Sequence, residues 1–564
     1  MKERKVTYLP QLENSIPLEA HGYSVSMYSL ALEGWRRGLK LKFVNRNRRR
    51  SEVEYSLSND GNEHFFSVVK GDAIPRSATK ICLNKQLTKD NLIKAGVPTP
   101  DGETFGNDVK DESITRYASE LGYPVVLKPS NGTAGAGVIA NIKNEDEFKE
   151  ALSYVKYDLK FSELIVEKFA TGEDHRMYVI DDQVVASFKK IPANVIGNGK
   201  DTINQLLEDK NLERTKTPAL SNRPITVDKE SDTLLRSKGY TLDSVPPMGE
   251  IVYLKTKNNV SSGGDPIDVT DDISDELKQI AIDAAKSIPG LVQCGVDMII
   301  DQDKGTGVVL EVNSRPHITA HLFPMEGKAR DIPKHVVDYY FPETKQAEFN
   351  TNVAFYFDFK TIFDALNRGV CEEFTVPKIP EGELTSTRFR IKGERLNEAY
   401  QKWVRGQALK LNLHGYVKKL TNGETSIVVS GPNDSITKFR DIVKKQSPNK
   451  SKVKAVDEKN WDKPVRIGFE IGSAGQSVKK DSPRPQKSHS KTGEVEGYQP
   501  VKLEEVFKKN PNVKKHSLRK THSVEKERDL YKKKYNEIEK STLWRVTRPI
   551  RSLSDLAKSF KKTK

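Results

Sequence analysis

The sequence predicts an α/β (α+β) chain of several domains that ends in a basic tail. Its 564 residues are enough for roughly three or four domains. From residue 81 to about residue 342, helix-like patterns alternate with short apolar runs, which is typical of an α/β fold. Hydrophobic residues make up 36% of the chain and charged residues 30%, so globular cores are expected beside a segment too polar to fold.

These patterns divide the chain into four segments. We predict a small N-terminal α/β domain over residues 1–80, a central domain over 81–343, a third domain over 350–460 and a largely disordered tail with short helices over 473–564. In the first domain, apolar runs at 41–44 and 65–69 indicate strands, and the apolar spacing at 29–39 indicates an amphipathic helix.

Charge is concentrated in the tail. Residues 473–564 contain 25 Lys and Arg but 11 Asp and Glu, whereas the whole chain has a net charge of +15. The remainder is therefore almost neutral, and we expect no specific binding of nucleic acid. The N-terminus has no apolar run typical of a signal peptide, and the three cysteines form no CxxC pair. We expect a cytoplasmic protein without disulfides.

Lys128 ends an apolar strand predicted at 124–128 and precedes a glycine-rich loop at 130–137. Glycines let backbone N–H groups approach phosphate oxygens, and a lysine at the strand end adds a positive charge. The loop matches neither the Walker A pattern nor GxGxxG, so it is either a phosphate-binding loop or an ordinary turn. The first hypothesis involves Gly132, Gly135 and Gly137.

Two later strands carry oxygen ligands suited to magnesium. The strand-like segments 295–300 and 309–316 bring Asp297 near Glu311 and Asn313, and the last two residues share one strand face. Their apolar neighbours indicate a buried strand, where unpaired carboxylates are costly unless a cation is present. Mg²⁺ favours a few carboxylates together with phosphate oxygens. The alternative is an ordinary solvated strand face.

Polar loops flank these strands and are candidates for binding the acceptor substrate. The residues in question are Asn259, Ser261, Ser262, Gly263 and His321.

Several ordered motifs show that the chain resembles the ATP-grasp ligases over about 260 residues. The resemblance is strongest to the ATP-grasp domains of cyanophycin synthetase and of the fused bacterial glutathione synthetases. It is carried by residues 172–176, 192–203, 239–246, 259–271 and 310–316. The resemblance implies an ATP-grasp fold for the central domain.

The resemblance also implies roles for individual residues. Lys85 and Lys128 match the two lysines that contact the phosphates of ATP, and Asp174 matches the ribose position. Glu167, Lys168 and Ala170 fall on the strand that contacts adenine. Asp297, Glu311 and Asn313 fall on the magnesium ligands, with Mn²⁺ as an alternative metal.

The implied reaction is the formation of an amide bond with release of ADP. ATP phosphorylates a substrate carboxylate, an amine attacks the acylphosphate, and phosphate leaves. Arg176 or Arg315 could steady the carboxylate or the acylphosphate, although an arginine in such a loop is as often in a surface ion pair. The catalytic candidates are therefore Lys128, Arg176 and Arg315.

The chain departs from both relatives outside this domain. It shows no Mur-ligase-like half, and residues 1–80 are too short for a cysteine-ligase domain. The carboxylate and amine substrates therefore cannot be inferred from either relative. An amino acid, a peptide or an envelope-polymer precursor is expected.

Residues 385–458 resemble acylphosphatase and predict a ferredoxin-like βαββαβ unit. The phosphate-cradling loop of that family would fall on residues 395–401, where its glycines are absent. Gln401 stands at the catalytic arginine position, and Lys419 stands at the asparagine position. We therefore expect a degenerate domain without hydrolase activity.

The basic tail could attract an anionic membrane surface or a partner in envelope synthesis. Helices are predicted near residues 524–539 and 553–561, and a solubilising disordered extension is the alternative. The protein is then cytoplasmic or peripheral at the inner face of the membrane, and we expect a homo-oligomer.

Two other functions compete with the ligase hypothesis. One is a non-catalytic nucleotide-binding scaffold in cell-envelope polysaccharide assembly. The other is an acylphosphate hydrolase, which Gln401 and Lys419 disfavour.

Overall fold

The computed structural model describes residues 6–47, 52–130, 137–345, 353–446, 448 and 451–472. Gly132, Gly135 and the predicted tail lie outside these residues, as do the helices predicted near 524–539 and 553–561. Within the described part of the chain, no helix is both long and apolar enough to cross a lipid bilayer.

Side-chain caps set the beginnings of several helices. Asn84 accepts a hydrogen bond from the Leu87 N–H, and Thr202 forms a capping box with Gln205. Ser274 likewise caps the helix that runs from Asp275 to Lys286. The helices are α1 (Ser24–Arg36), α2 (Arg76–Leu83), α3 (Lys85–Lys94), α4 (Asp111–Leu121), α5 (Glu145–Ser153), α6 (Ile203–Thr215), α7 (Lys229–Ser237), α8 (Asp275–Lys286), α9 (Thr319–Leu322), α10 (Ile332–Tyr340), α11 (Phe359–Asn367), α12 (Glu398–Lys410) and α13 (Asn433–Lys445).

The strands follow the apolar runs of the sequence, and their side chains alternate between two faces. They are β1 (Val6–Thr7), β2 (Lys40–Asn47), β3 (Glu52–Ser58), β4 (Glu63–Ser67), β5 (Lys70–Gly71), β6 (Gly102–Phe105), β7 (Val125–Pro129), β8 (Ile139–Ile142), β9 (Leu164–Lys168), β10 (Glu173–Ile180), β11 (Gln183–Ile191), β12 (Asn194–Ile196), β13 (Ile251–Tyr253), β14 (Asp265–Asp268), β15 (Gln293–Asp301), β16 (Thr306–Asn313), β17 (Gly327–Lys328), β18 (Phe355–Tyr356), β19 (Glu373–Thr375), β20 (Leu384–Glu394), β21 (His414–Lys419), β22 (Thr425–Pro432), β23 (Lys452–Asn460), β24 (Val465–Arg466) and β25 (Phe469–Gly472).

Two antiparallel sheets form the central part of the chain. Among the described residues, one has the strand order β6-β9-β7-β8 and the other has the order β14-β11-β10-β15-β16. Leu127 and Val166 are buried in the core of the first sheet, and Val296 and Val312 are buried in the core of the second. The α2–α3 helix pair packs against β16. The predicted mixed α/β architecture is confirmed.

The N-terminal sheet includes a strand from far along the chain. Its order is β19-β2-β3-β4-β5, and Phe374 of β19 pairs with Phe43 of β2. Phe357 lies 5.7 Å from Phe43 between ring centroids and belongs to the same core. The beginning of the segment 350–460 therefore packs on the N-terminal sheet. The sequence did not predict this pairing, because strand contacts between distant segments leave no local pattern.

The last sheet has the order β23-β20-β22-β21-β25. With α12 and α13 it forms the predicted βαββαβ unit, whose core includes Phe389, Tyr400 and Phe439. Strand β25 adds to it parallel to β21. A parallel pairing of Phe355 with Val465 links this region to the segment before it.

Candidate active site

A small pocket lies where α2 and α3 meet β7, β9 and β16. Five charged side chains line it, namely Lys85, Lys89, Lys128, Glu167 and Glu311. The remaining lining residues are Cys82, Thr88, Leu92, Thr99 and Leu310. The structure thus brings together three residues predicted to bind the nucleotide and one predicted to bind the metal.

Glu167 holds two lysines at this pocket. Its carboxylate forms an ion pair with the Lys128 ammonium group, and Lys89 Nζ lies 3.2 Å from Glu167 Oε1. All three side chains are buried. Removing Glu167 would leave two buried cations without this partner, which is expected to cost several kcal/mol, about 3–5 in comparable cases.

Lys85 is the first residue of α3 and lies one turn before Lys89. Burial lowers the pKa of the Lys85 ammonium group, against the opposing effect of the nearby Glu311 carboxylate. An anion such as a phosphate bound here would favour the charged form of this lysine.

Asp297 is the centre of a second cluster, on the five-stranded sheet. It faces Glu311 on β16 and Arg176 on β10 in the strand registers. Arg176 donates to it through Nε at 2.9 Å and Nη2 at 2.5 Å, and Lys190 donates at 2.7 Å. The Asn313 amide donates to Asp297 Oδ2 at 3.2 Å.

The charges of this cluster keep Asp297 ionised. Burial alone would raise its pKa, but Arg176 and Lys190 outweigh that effect and hold the pKa well below the usual range. Asp174 also accepts a hydrogen bond from Lys190, at 2.8 Å. Burial, reinforced by the Asp297 charge, raises the pKa of Asp174. Lys190 therefore links Asp174, which is predicted to bind the ribose, with Asp297, which is predicted to bind the metal.

The donor set is compatible with magnesium held jointly by protein and phosphate. In the described residues, no group of three or more His, Cys, Asp or Glu side chains is positioned to hold a metal ion. The predicted set contains two carboxylates, Asp297 and Glu311, and the amide of Asn313. Such a partial set suits Mg²⁺, which usually keeps phosphate and water ligands.

Two residues on the predicted adenine strand are placed differently from Glu167. Lys168 Nζ donates to the Gly122 carbonyl at 2.6 Å, at the end of α4, and so does not face the pocket. The reason is that successive side chains of a strand point to opposite faces. Ala170 is half-buried between β9 and β10. Gly137 ends the glycine-rich loop, and a Cβ there would lie 2.8 Å from the Pro129 ring.

The predicted substrate loops are only partly at the surface. Ser261 and Ser262 are exposed on a short 3-10 turn that begins after Asn259. Gly263 ends that turn with φ +101°, and a Cβ there would lie 2.9 Å from the Ile225 side chain. The backbone conformation and the packing therefore both favour glycine here, whether or not a substrate binds. Arg315 donates to Ser67 Oγ at 3.2 Å.

His321 is buried and is not at the surface where an acceptor substrate was expected. Its ring packs 4.6 Å from the Phe188 ring, and burial lowers its pKa to about 3. α9 turns this side chain into the core, where the charges of Arg176 and Asp297 act on its pKa in opposite directions.

Sequence reasoning missed two lysines of the site. Lys89 carried a signal, since it lies four residues after Lys85 and therefore on the same helix face. Lys190 carried none, because only the pairing of β11 with β10 brings it to Asp174 and Asp297.

Comparison with known proteins identifies two domains in the chain. Residues 82–319 match the ATP-grasp domain family, and residues 387–471 match the Acylphosphatase family. The first match includes the pocket and the Asp297 cluster, and the second match includes most of the last sheet.

Individual relatives match over about half of this chain. Cyanophycin synthetase of Geminocystis herdmanii is 34% identical over 271 residues, which are 47% of this chain and 31% of that protein. The glutathione biosynthesis bifunctional protein GshAB of Clostridium perfringens is 32% identical over 312 residues, 51% of this chain and 39% of that protein. A solved bifunctional glutathione synthetase from Pasteurella multocida is 26% identical with a TM-score of 0.41, covering 52% of this chain and 41% of that one.

The chain thus spans less than half the length of the curated relatives it matches. Together, the pocket, the carboxylate cluster and the two family matches lead to one conclusion: this chain contains an ATP-grasp domain followed by an acylphosphatase domain.

Proposed function

We propose that this protein is an ATP- and Mg²⁺-dependent ligase that joins a carboxylate to an amine and releases ADP and phosphate. The observation that carries the proposal is a pocket lined by Lys85, Lys128, Glu167 and Glu311 within the ATP-grasp domain. The names of its relatives, cyanophycin synthetase and a glutathione biosynthesis protein, agree with amide-bond formation.

The lysines would bind and orient the phosphates of ATP. Lys128 and Lys89 already carry a compensating carboxylate in Glu167, so the pocket holds two cations in position before the nucleotide arrives. Phosphoryl transfer depends mainly on positioning and on charge neutralisation, so pre-placed cations suit this chemistry.

Asp297, Glu311 and Asn313 would hold the metal ion. When bound, Mg²⁺ would neutralise charge on the transferring phosphate. Arg176 and Lys190 would keep Asp297 ionised and fix its orientation through charge-assisted hydrogen bonds.

The reaction would proceed in two steps. An oxygen of the substrate carboxylate attacks the γ-phosphorus of ATP, and the bond to ADP breaks, which gives an acylphosphate. The amine nitrogen then attacks the acyl carbon, phosphate leaves, and the amine loses a proton. Arg176 and Arg315 are the candidates to steady the acylphosphate. An amino acid, a peptide or an envelope-polymer precursor would serve as substrate.

The test is ADP release in the presence of Mg-ATP and a panel of amino acids, dipeptides and amino sugars. Wild type is compared with Glu311→Gln and with Glu103→Gln, an exposed carboxylate on β6 that serves as a matched control. We expect acceptor-dependent ADP release that falls at least about 100-fold in Glu311→Gln and is unchanged in Glu103→Gln. Binding of ATP without turnover by any acceptor would instead favour the nucleotide-binding scaffold.

A further inference from the structure

Arg223 is a buried arginine for which the described residues provide no carboxylate partner. It lies just before Pro224, in the segment between α6 and α7, and is 9% exposed. Its Nε and Nη2 atoms are closed to solvent and have no hydrogen-bond partner among the described residues. Burying unpaired N–H groups of a cation is costly, so this arrangement calls for an explanation.

Nε and Nη2 form one edge of the Arg223 guanidinium. Two other arginines of this chain use the same edge to bind a carboxylate. Arg176 uses that edge for Asp297, at 2.9 and 2.5 Å. Arg330 uses it for Asp268, at 2.9 and 2.7 Å. The spacing of Nε and Nη2 matches the two oxygens of a carboxylate, which makes such pairs bidentate.

The surroundings of Arg223 hold this edge in place. The Tyr23 ring centre lies 4.0 Å from the guanidinium carbon, and the His317 ring centre lies 4.8 Å from that of Tyr23. His317 Nδ1 also has no partner among the residues that the structure describes. Tyr23 is 55% exposed, so its ring lies at the surface of the molecule.

The segment that carries Arg223 is fixed to the N-terminal region. The Gly22 N–H donates to the Pro218 carbonyl at 2.9 Å, and His21 Nδ1 lies 3.0 Å from Ser221 Oγ. Gly22 has φ +75°, and a Cβ there would collide with the Asn222 side chain, so this close approach requires glycine.

Three arginines act on His317. Burial and the charges of Arg223, Arg315 and Arg176 together lower its pKa to about 4. Arg315 and Arg176 are the residues proposed to steady the acylphosphate. Tyr23 contacts both Arg223 and His317, which places Arg223 beside the segment that carries Arg315. It is not among the residues that line the pocket with Lys85 and Lys128.

We propose that Arg223, with Tyr23 and His317 beside it, binds a carboxylate group of the substrate that does not take part in the reaction. Because Nε and Nη2 are closed to solvent in this structure, the exposed Tyr23 side chain would move to admit the carboxylate. Placing this carboxylate on a substrate rests on the proposed ligase function. A carboxylate fits better than a phosphate, because one planar edge of a single arginine is offered here, whereas the lysines lie in the nucleotide pocket. The substrate class is then an amino acid or peptide that keeps a free carboxylate.

The first experiment measures the binding of succinate to the full-length protein by calorimetry. Wild type is compared with Arg223→Met, with Arg223→Lys and with Arg236→Met, an exposed arginine of α7 that serves as a control. We expect succinate binding to weaken at least about tenfold in Arg223→Met, to be intermediate in Arg223→Lys and to be unchanged in Arg236→Met. Succinamide, which lacks the charges, should not bind.

Different results would contradict the binding site itself and its assignment to a carboxylate. If wild type does not bind succinate up to about 50 mM, or if Arg223→Met binds it equally well, the proposal is wrong. If inorganic phosphate rather than succinate depends on Arg223, the assignment to a carboxylate is wrong. The melting temperature of Arg223→Met should be equal to or higher than that of wild type, because an unpaired buried cation has been removed.

A second experiment separates this proposal from the ligase proposal. With the acceptor that drives ADP release, Arg223→Met should raise the KM for that substrate at least about tenfold and leave the KM for ATP unchanged. An amide analogue without the free carboxylate should be used equally by wild type and variant. If ADP release is never observed but succinate binding depends on Arg223, the ligase proposal fails while the carboxylate site stands.

Discussion

Arg176 and Asp297 face each other across two antiparallel strands and are joined by two parallel hydrogen bonds, of 2.9 and 2.5 Å. The sheet register sets this pair, since each residue is the other's partner in the β10–β15 ladder. Lys190 reaches the same carboxylate from β11. Asp297 is thereby held ionised and oriented, which its proposed role as a magnesium ligand requires.

The bidentate geometry of this pair predicts that Arg176→Lys will impair the reaction even though the positive charge is kept. A lysine donates from one nitrogen and cannot hold both carboxylate oxygens in a plane. We expect kcat/KM for ATP to fall by about 10- to 100-fold, measured as ADP release. Arg116→Lys is the control, because Arg116 is exposed on α4. Equal loss in both variants, or none in either, would contradict this role of Arg176.

Lys85 and Lys94 are the first and last residues of α3, and they provide a matched pair of lysines. Lys85 lines the pocket, whereas Lys94 is exposed. Lys85→Met should weaken ATP binding by about 10-fold or more, since one cation facing the phosphates is lost. Lys94→Met should bind ATP as wild type does. Calorimetry with a non-hydrolysable ATP analogue would measure both, and similar affinities for the two variants would remove Lys85 from the nucleotide site.

His414 predicts a pH dependence of stability in the acylphosphatase domain. Its Nδ1 accepts the Gly468 N–H at 3.0 Å, and burial lowers its pKa to about 4. Between that value and the unfolded value of about 6.5, the unfolded chain binds more protons, so stability is lost as the pH falls. The cost reaches about 2 kcal/mol at pH 5, given 1.36 kcal/mol per pKa unit.

The variant His414→Asn keeps an acceptor for the Gly468 N–H but does not titrate. We expect the loss of stability between pH 7.5 and pH 5 to be smaller in this variant than in wild type, measured by urea unfolding. The comparison concerns the change with pH, because the substitution also alters packing against Phe355. An identical pH dependence in the two proteins would show that His414 does not contribute.

The acylphosphatase domain is predicted to lack hydrolase activity. Gln401 is buried on α12 where the family has its catalytic arginine, and the start of that helix is capped by the Asn397 side chain. The full-length protein should leave the hydrolysis of benzoyl phosphate at its uncatalysed rate, followed by ultraviolet absorbance. The Lys128→Met variant should give the same result. Hydrolysis that persists in Lys128→Met would locate an active phosphatase site outside the ATP-grasp pocket.

Some features of this protein were determined by local sequence. Asn84 and Ser274 cap their helices as residues of their type do, and apolar runs such as 164–167 became buried strands. The order of motifs along residues 82–319 was sufficient to recognise the ATP-grasp domain. Lys85 and Lys89 share a helix face by spacing alone.

Other features were decided only by the tertiary structure. Three contacts join residues that are far apart in the chain. They are the ion pair of Lys190 with Asp297, the ion pair of Lys190 with Asp174, and the pairing of β19 with β2. Arg223 looks like any polar residue in a loop until the fold buries it beside Tyr23 and leaves its edge unpaired. The physical reason is that propensity, capping and periodicity act within a few residues, whereas burial and charge pairing depend on which distant segments the fold brings into contact.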